Sequence, residues 1–185
     1  PAGRRVTVRG VQVHGRPRPE AVAGERVALN LAGIEVHDVE RGQTLLSSGS
    51  LRPTLVADAA VELVKDAKPL KHGARVRFHQ GTAEVLGRLA VIGPPAADGS
   101  VAIQPGSSGF VRIRFEGPVV ITRGDRYILR TYSPPMTMGG GDILDPAPPR
   151  SGVRTEAAVR RCVALEVHGN SVNGRGPGND LGVVR

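Results

Sequence analysis

Residues 124–146, GDRYILRTYSPPMTMGGGDILDP, decide how the chain folds. The stretch opens on a turn, alternates through RYILRTY, breaks at Pro134-Pro135 and resumes as an extended segment ending Ile143-Leu144-Asp145-Pro146. Alternation bounded by turn residues reads as β-strand. The last strand carries Gly139-Gly140-Gly141. Glycine inside a strand weakens it and removes side chains that could pack, so three in a row mark a place that needs bare backbone.

Working outward, the same grammar repeats. TLVADAAVELV (54–64) is an apolar strand, and KDAKPLKHG (65–73) reads as a polar loop. GARVRFHQGTAEVLGRLAVIG (73–93) reads as two strands, with Val76 and Phe78 pointing one way and Arg75, Arg77 and His79 the other. In SGFVRIRFEG (108–117), Val111, Ile113 and Phe115 oppose Arg112, Arg114 and Glu116, and PVVIT (118–122) follows as a further short strand. Six or more short strands with regular turns predict a barrel or sandwich of roughly 90 to 100 residues, placed at 53–148.

The N-terminal side gives a smaller unit, 1–52. RVTVRGVQVH (5–14) alternates with a phase slip at Gly10, where a bulge is expected. GRPRPEAVAG (15–24) reads as a connection. ERVALNLA (25–32) places Val27, Leu29 and Leu31 opposite Arg26, Ala28 and Asn30. A turn at Arg41-Gly42 and another short strand are expected before residue 48. On the C-terminal side, 149–185, TEAAVRRCVALEV (155–167) has helical composition. Thr155 is a candidate cap, Glu156 lies in the first turn, and Val159, Cys162 and Val163 share a side. HGNSVNGRGPGND (168–180) has the composition of a disordered tail. The fold class expected is all-β: two consecutive small antiparallel barrels, a short C-terminal helix and a disordered tail.

Aromatic residues make up only 3% of the chain and Trp is absent, so a core of Val, Leu, Ile and Ala is expected. Net charge is +8, mostly from arginine and spread along the chain, which favours an anionic partner, nucleic acid being the commonest. Cys162 is the sole cysteine, which excludes an internal disulfide and fits a reducing, cytoplasmic setting. No apolar run approaches membrane-spanning length and no leader is visible. The start at Pro1 reads as that of a fragment.

Catalytic signals are weak. The glycine run lacks the Lys and Ser/Thr of a nucleotide loop, and His14, His37, His72, His79 and His168 show no metal-ligand spacing. Ser133, His79 and Asp125 could be combined into a hydrolytic set only by guesswork, because such sets are assembled in space. Arginines at alternate positions carry more weight. If Arg75, Arg77 and His79 on one strand and Arg112 and Arg114 on another all face outward, they form a patch able to hold phosphates. A solvated polar face is the plainer alternative.

The order of segments resembles the second and third domains of translational GTPases of the elongation factor Tu superfamily, over about residues 5–148. Within it the likeness is to the selenocysteine-specific elongation factors. The residues that carry it are GERVALNLAG (24–33) followed by ERGQ, then RFHQGTAEV (77–85), then GDRYILRTYSP with its trailing GGGDILDP. The resemblance implies that Arg26 matches a pocket arginine facing the aminoacyl group of tRNA. A permanently charged guanidinium there favours an ionised selenol over a serine hydroxyl. It also implies that the segment Arg75, Arg77, His79, Thr82, with Arg126, Arg130 and Gly139, Gly140 and Gly141, contacts tRNA phosphates and riboses. The glycines would then admit an RNA backbone to main-chain amides, or simply allow tight barrel closure.

Selenocysteinyl-tRNA and the ribosome are the partners so implied, for a monomer acting in the cytoplasm. A messenger RNA hairpin would be reached only through C-terminal winged-helix domains that this sequence lacks. GTP and magnesium belong to a GTPase domain also lacking here, so no cofactor and no GTP hydrolysis are expected of this chain. The opening strands of the first barrel are missing as well, leaving residues 1–52 as its C-terminal part, with unpaired edges that threaten its stability. Two alternatives remain: the same barrels from another translational GTPase, and a stand-alone β-barrel RNA-binding protein.

Overall fold

The alternating segments form strands, and most of the strands close on themselves. The computed structural model describes residues 3–47, 49–97 and 99–173. The described residues divide into two compact units, one up to Leu51 and one from Arg52 to Asn173.

The first unit is an open antiparallel sheet of three strands, β1 (Thr7–Val13), β2 (Arg16–Arg18) and β3 (Val27–Ala32), in the order β2-β1-β3. Its register shifts between Val8 and Gly10, which is the expected bulge. β2 falls inside the segment read as a connection. His14 and Gly15, both at positive φ (49° and 76°), form the tight two-residue turn that brings Arg16 opposite Val13. Val11, Val13 and Ala21 are buried against Val8, Val27 and Leu29. The extra strand expected before residue 48 is not formed among the described residues. The Asp38 carboxylate accepts a hydrogen bond from the Glu35 amide (3.4 Å) and pairs with Arg4 (2.7 Å), and the chain makes a 3-10 turn at Val36–Asp38 instead.

The second unit contains β4 (Thr54–Leu63), β5 (Leu70–Lys71), β6 (Arg75–Gln80), β7 (Ala83–Val91), β8 (Ala102–Ile103), β9 (Ser108–Val119), β10 (Arg126–Thr131), β11 (Thr137–Asp145) and α1 (Glu156–Asn173). Six of these strands close a barrel in the order β10-β11-β4-β9-β7-β6, each pair antiparallel. β5 and β8 pair as a short ribbon. Residues 65–73 are therefore more than a polar loop: the ribbon carries Leu70, fully buried, and Ile103 into the barrel core. β9 runs unbroken through Val119, joining two segments expected to be separate.

The core is less uniformly aliphatic than composition predicts. The chain has five Phe and Tyr residues, and three of them meet inside the barrel. Phe78 lies 4.9 Å from Phe115 edge-on and 5.2 Å from Tyr127 in a stacked arrangement. The Tyr127 hydroxyl donates to the Ala60 carbonyl (2.7 Å), which satisfies its one polar atom.

α1 starts as expected: the Thr155 hydroxyl accepts from the Ala158 amide (3.2 Å), and Glu156 sits in the first turn. It continues to Asn173, past the boundary read from sequence and into the segment expected to be disordered. The rest of that tail, 174–185, lies outside the described residues. Its seam is Ala158, Val159, Cys162 and Leu165 against Ile92, Leu144, Ala60 and Phe110 on the barrel; Val163 is exposed.

Candidate nucleic-acid interface

β6 and β10 are neighbours, with His79 opposite Ile128 and Arg77 opposite Arg130. Because Val76, Phe78, Tyr127 and Leu129 fill the core, Arg75, Arg77, His79, Arg126 and Arg130 stand on the outer wall. The barrel brings these residues together in two places. Toward one end, Tyr132 organises the arginines. The Arg75 guanidinium lies over its ring at 4.4 Å and that of Arg77 at 5.6 Å. Arg77 Nε donates to the Tyr132 carbonyl (3.1 Å), and Arg130 donates to the Pro135 carbonyl (2.7 Å).

Carboxylates partly neutralise this cluster. Glu116 accepts two hydrogen bonds from Arg75 (2.8 and 2.6 Å), and Glu84 pairs with Arg77. Those bonds hold the Glu116 and Glu84 carboxyls below the usual range, and the Glu116 carboxylate raises the pKa of Arg75 in turn.

Toward the other end, a groove of about 860 Å³ runs over the glycine strand, lined by His79, Arg126, Ile128 and Gly139–Gly141. Its bareness follows from strand packing. A Cβ on Gly139 would collide with the Glu62 carbonyl, one on Gly140 with the Tyr127 carbonyl, and one on Gly141 with the Ala60 carbonyl. β11 is squeezed between β4 and β10, so glycine is required at all three positions by barrel closure alone. The groove is therefore floored by main chain instead of side chains, with Gly139 buried and Gly140 and Gly141 half-buried. Glu62, Asp142 and Glu166 also line the groove, so it is not a cationic channel. Two buried donors or acceptors on this wall, His79 Nε2 and Arg130 Nε, have no hydrogen-bond partner among the described residues.

Thr82 is exposed in the two-residue turn between β6 and β7, where Gly81 supplies the positive φ of 55°. Arg26 is exposed immediately before β3 in the other unit. Asp125 is engaged locally, accepting from the Thr122 amide (2.8 Å), as a turn-forming side chain would.

Arg112 corrects the sequence reading. It faces out of the barrel but is 3% exposed, covered by α1 and the segment before it. Its guanidinium forks onto Asp58 (2.6 and 3.0 Å) and donates to the Pro149 carbonyl (2.6 Å). Arg161 from α1 pairs with Asp58 as well, and with Asp145 at 2.7 Å. Arg112 is thus structural, and the outward patch loses it. Tyr132 was missed from sequence, because its role depends on β10 lying beside β6.

Residues 57–150 match the family model described as the selenocysteine-specific elongation factor, beta-barrel domain. A selenocysteine-specific elongation factor of Desulfomicrobium baculatum is 39% identical over 147 residues, which cover 79% of this chain and 22% of that protein. The chain therefore spans about a fifth of the length of that relative.

Proposed function

The chain belongs to the family of selenocysteine-specific elongation factors, and from that premise we propose that it holds selenocysteinyl-tRNA for GTP-dependent delivery to the ribosome. The observation that carries this reading is the outer wall of β6, β10 and β11. The Arg126 guanidinium lines a groove floored by main chain, and Arg75 and Arg77 stand farther along the same wall, toward Tyr132. Fixed guanidinium forks suit phosphate oxygens. Carboxylates such as Glu62 and Glu166 suit ribose hydroxyls, which can donate to them, and main-chain groups accept close approach by an RNA backbone. Together they match a phosphate–ribose strand better than a bare polyanion. Arg26, exposed and permanently charged, is the group for the aminoacyl end. GTP and magnesium would be held by a phosphate-loop domain, and the messenger RNA hairpin by domains other than these barrels. The chain acts as a monomer with no catalytic step of its own.

The deciding experiment compares selenocysteinyl-tRNA with seryl-tRNA. Arg26→Gln is expected to weaken the former about tenfold more than the latter, because only the ionised selenol adds an opposite charge to the hydrogen bond from the guanidinium. Equal loss for both removes the selenocysteine assignment. A folded chain with no salt-sensitive tRNA binding at low ionic strength removes the tRNA reading altogether.

A further inference from the structure

The positive charge that the groove lacks is found on another part of the barrel wall, across β6, β7 and β9. Arg75 is directly opposite Arg88, and Arg88 is directly opposite Arg114. Their neighbours Val76, Leu89 and Ile113 are in the core, so all three guanidiniums leave the outer face in a single row. With strands about 4.8 Å apart, the row spans roughly 10 Å. Arg88 and Arg114 are exposed, and neither guanidinium makes a hydrogen bond or ion pair with a described residue. Glu116 bonds Arg75 and is held below the usual range chiefly by it, with Arg88 a weaker influence. One carboxylate therefore answers three guanidiniums.

Like charges directly opposed across a sheet are destabilising. Here two such pairs follow one another, and of the three arginines Arg75 has the carboxylate partner. An anion with spaced negative groups removes that repulsion, and the forked N–H donors of Arg88 and Arg114 are free to bind it.

We propose that Arg75, Arg88 and Arg114 form a phosphate-binding rail for an RNA backbone, separate from the glycine groove. The proposal rests on the reading of this chain as RNA-binding. It extends the interface over strands β7 and β9, to residues that the resemblance did not point to. On this account the groove admits ribose and main-chain contacts, while the rail supplies most of the counterion release.

The test is a salt series of binding titrations with the full chain, using tRNA and a 20-base-pair RNA duplex as probes. Four further proteins accompany the wild type: R88Q/R114Q, R88K/R114K, R126Q and R75Q. The R88Q/R114Q protein is expected to reduce the slope of log K against log salt by roughly 1.4 to 1.8, with about tenfold weaker binding at the lowest salt. The same protein is expected to melt roughly 2–4 °C higher, because the opposed charges are gone. R88K/R114K keeps the charge and is expected to keep the slope. A slope unchanged in R88Q/R114Q overturns the rail, even if R126Q weakens tRNA binding. A reduced slope in R88Q/R114Q with R126Q unaffected supports the rail and counts against the groove. Polyglutamate competing as well as RNA would reassign the row to an acidic protein and overturn the proposal.

Discussion

At the scale of single residues, two positions show how much a strand neighbour decides. Gly140 is bare because the Tyr127 carbonyl of β10 occupies the space of its Cβ. Gly140→Ala is therefore expected to destabilise the barrel by about 3 kcal/mol or more, as overpacking against main chain has no flexible side chain to absorb it. A urea melt would show this as a lower midpoint, and an unchanged midpoint would mean that β11 can move aside. The glycine run was legible in the sequence as a demand for close approach; which backbone approached was not, since that depends on β10 and β4 flanking β11. Arg112 is the opposite case. Its alternation with Val111 and Ile113 correctly places it outside the barrel, yet outside the barrel is not outside the protein once α1 lies over it. Nothing local to SGFVRIRFEG reports that a helix more than forty positions later in the sequence covers this strand.

At the scale of elements, α1 is held by an apolar seam and by a four-charge network of Arg112, Asp58, Arg161 and Asp145. Asp58 is fully buried and shared by both arginines. Asp58→Asn leaves Arg112 without its counter-charge, and breaking a buried pair in this way is expected to cost about 3–5 kcal/mol. Cys162 gives a second readout. Burial, with Asp58 nearby, pushes its thiol up to about 11, so it is protonated and unreactive at neutral pH. Alkylation of the native protein at pH 8 is expected to be slow, and in Asp58→Asn at least tenfold faster, because α1 is freed from the barrel. Equal rates would show that the apolar seam alone docks the helix. The helix was visible in composition, with its cap at Thr155. Its docking face was only half legible: Val159 and Cys162 pack, whereas Val163 points to water and Leu165 takes its place. The ribbon of β5 and β8 was not legible, because two-residue strands have no periodicity to read.

At the scale of the whole molecule, stability follows the carboxylates at low pH and the thiol at high pH. Asp38, Glu84 and Glu116 are each held below the usual carboxylate range, first by hydrogen bonds from Arg4, Arg77 and Arg75. A folded-state value below the unfolded one contributes stability that is full above about pH 4.3 and disappears as pH falls through the lowered values. Cys162 has a raised folded value, so its contribution is full below about pH 8.5 and is lost as pH rises toward 11. Urea midpoints are therefore expected to form a plateau from about pH 5 to 8, with a shallow acid decline, since the exposed pairs each contribute little. A midpoint that rises between pH 5 and pH 3 would contradict the arginine–carboxylate geometry. The barrel as a class was legible from repeated short alternating strands. The closing order β10-β11-β4-β9-β7-β6 was not, and with it the opposition of Arg75, Arg88 and Arg114 stayed hidden. The network at Asp58 has a mechanical consequence. A hinge between helix and barrel would have to expose two buried charges at every swing, so no soft joint exists at that point. Asp58 lies on β4, so that strand is the barrel's anchor point for α1 by charge as well as by the apolar seam.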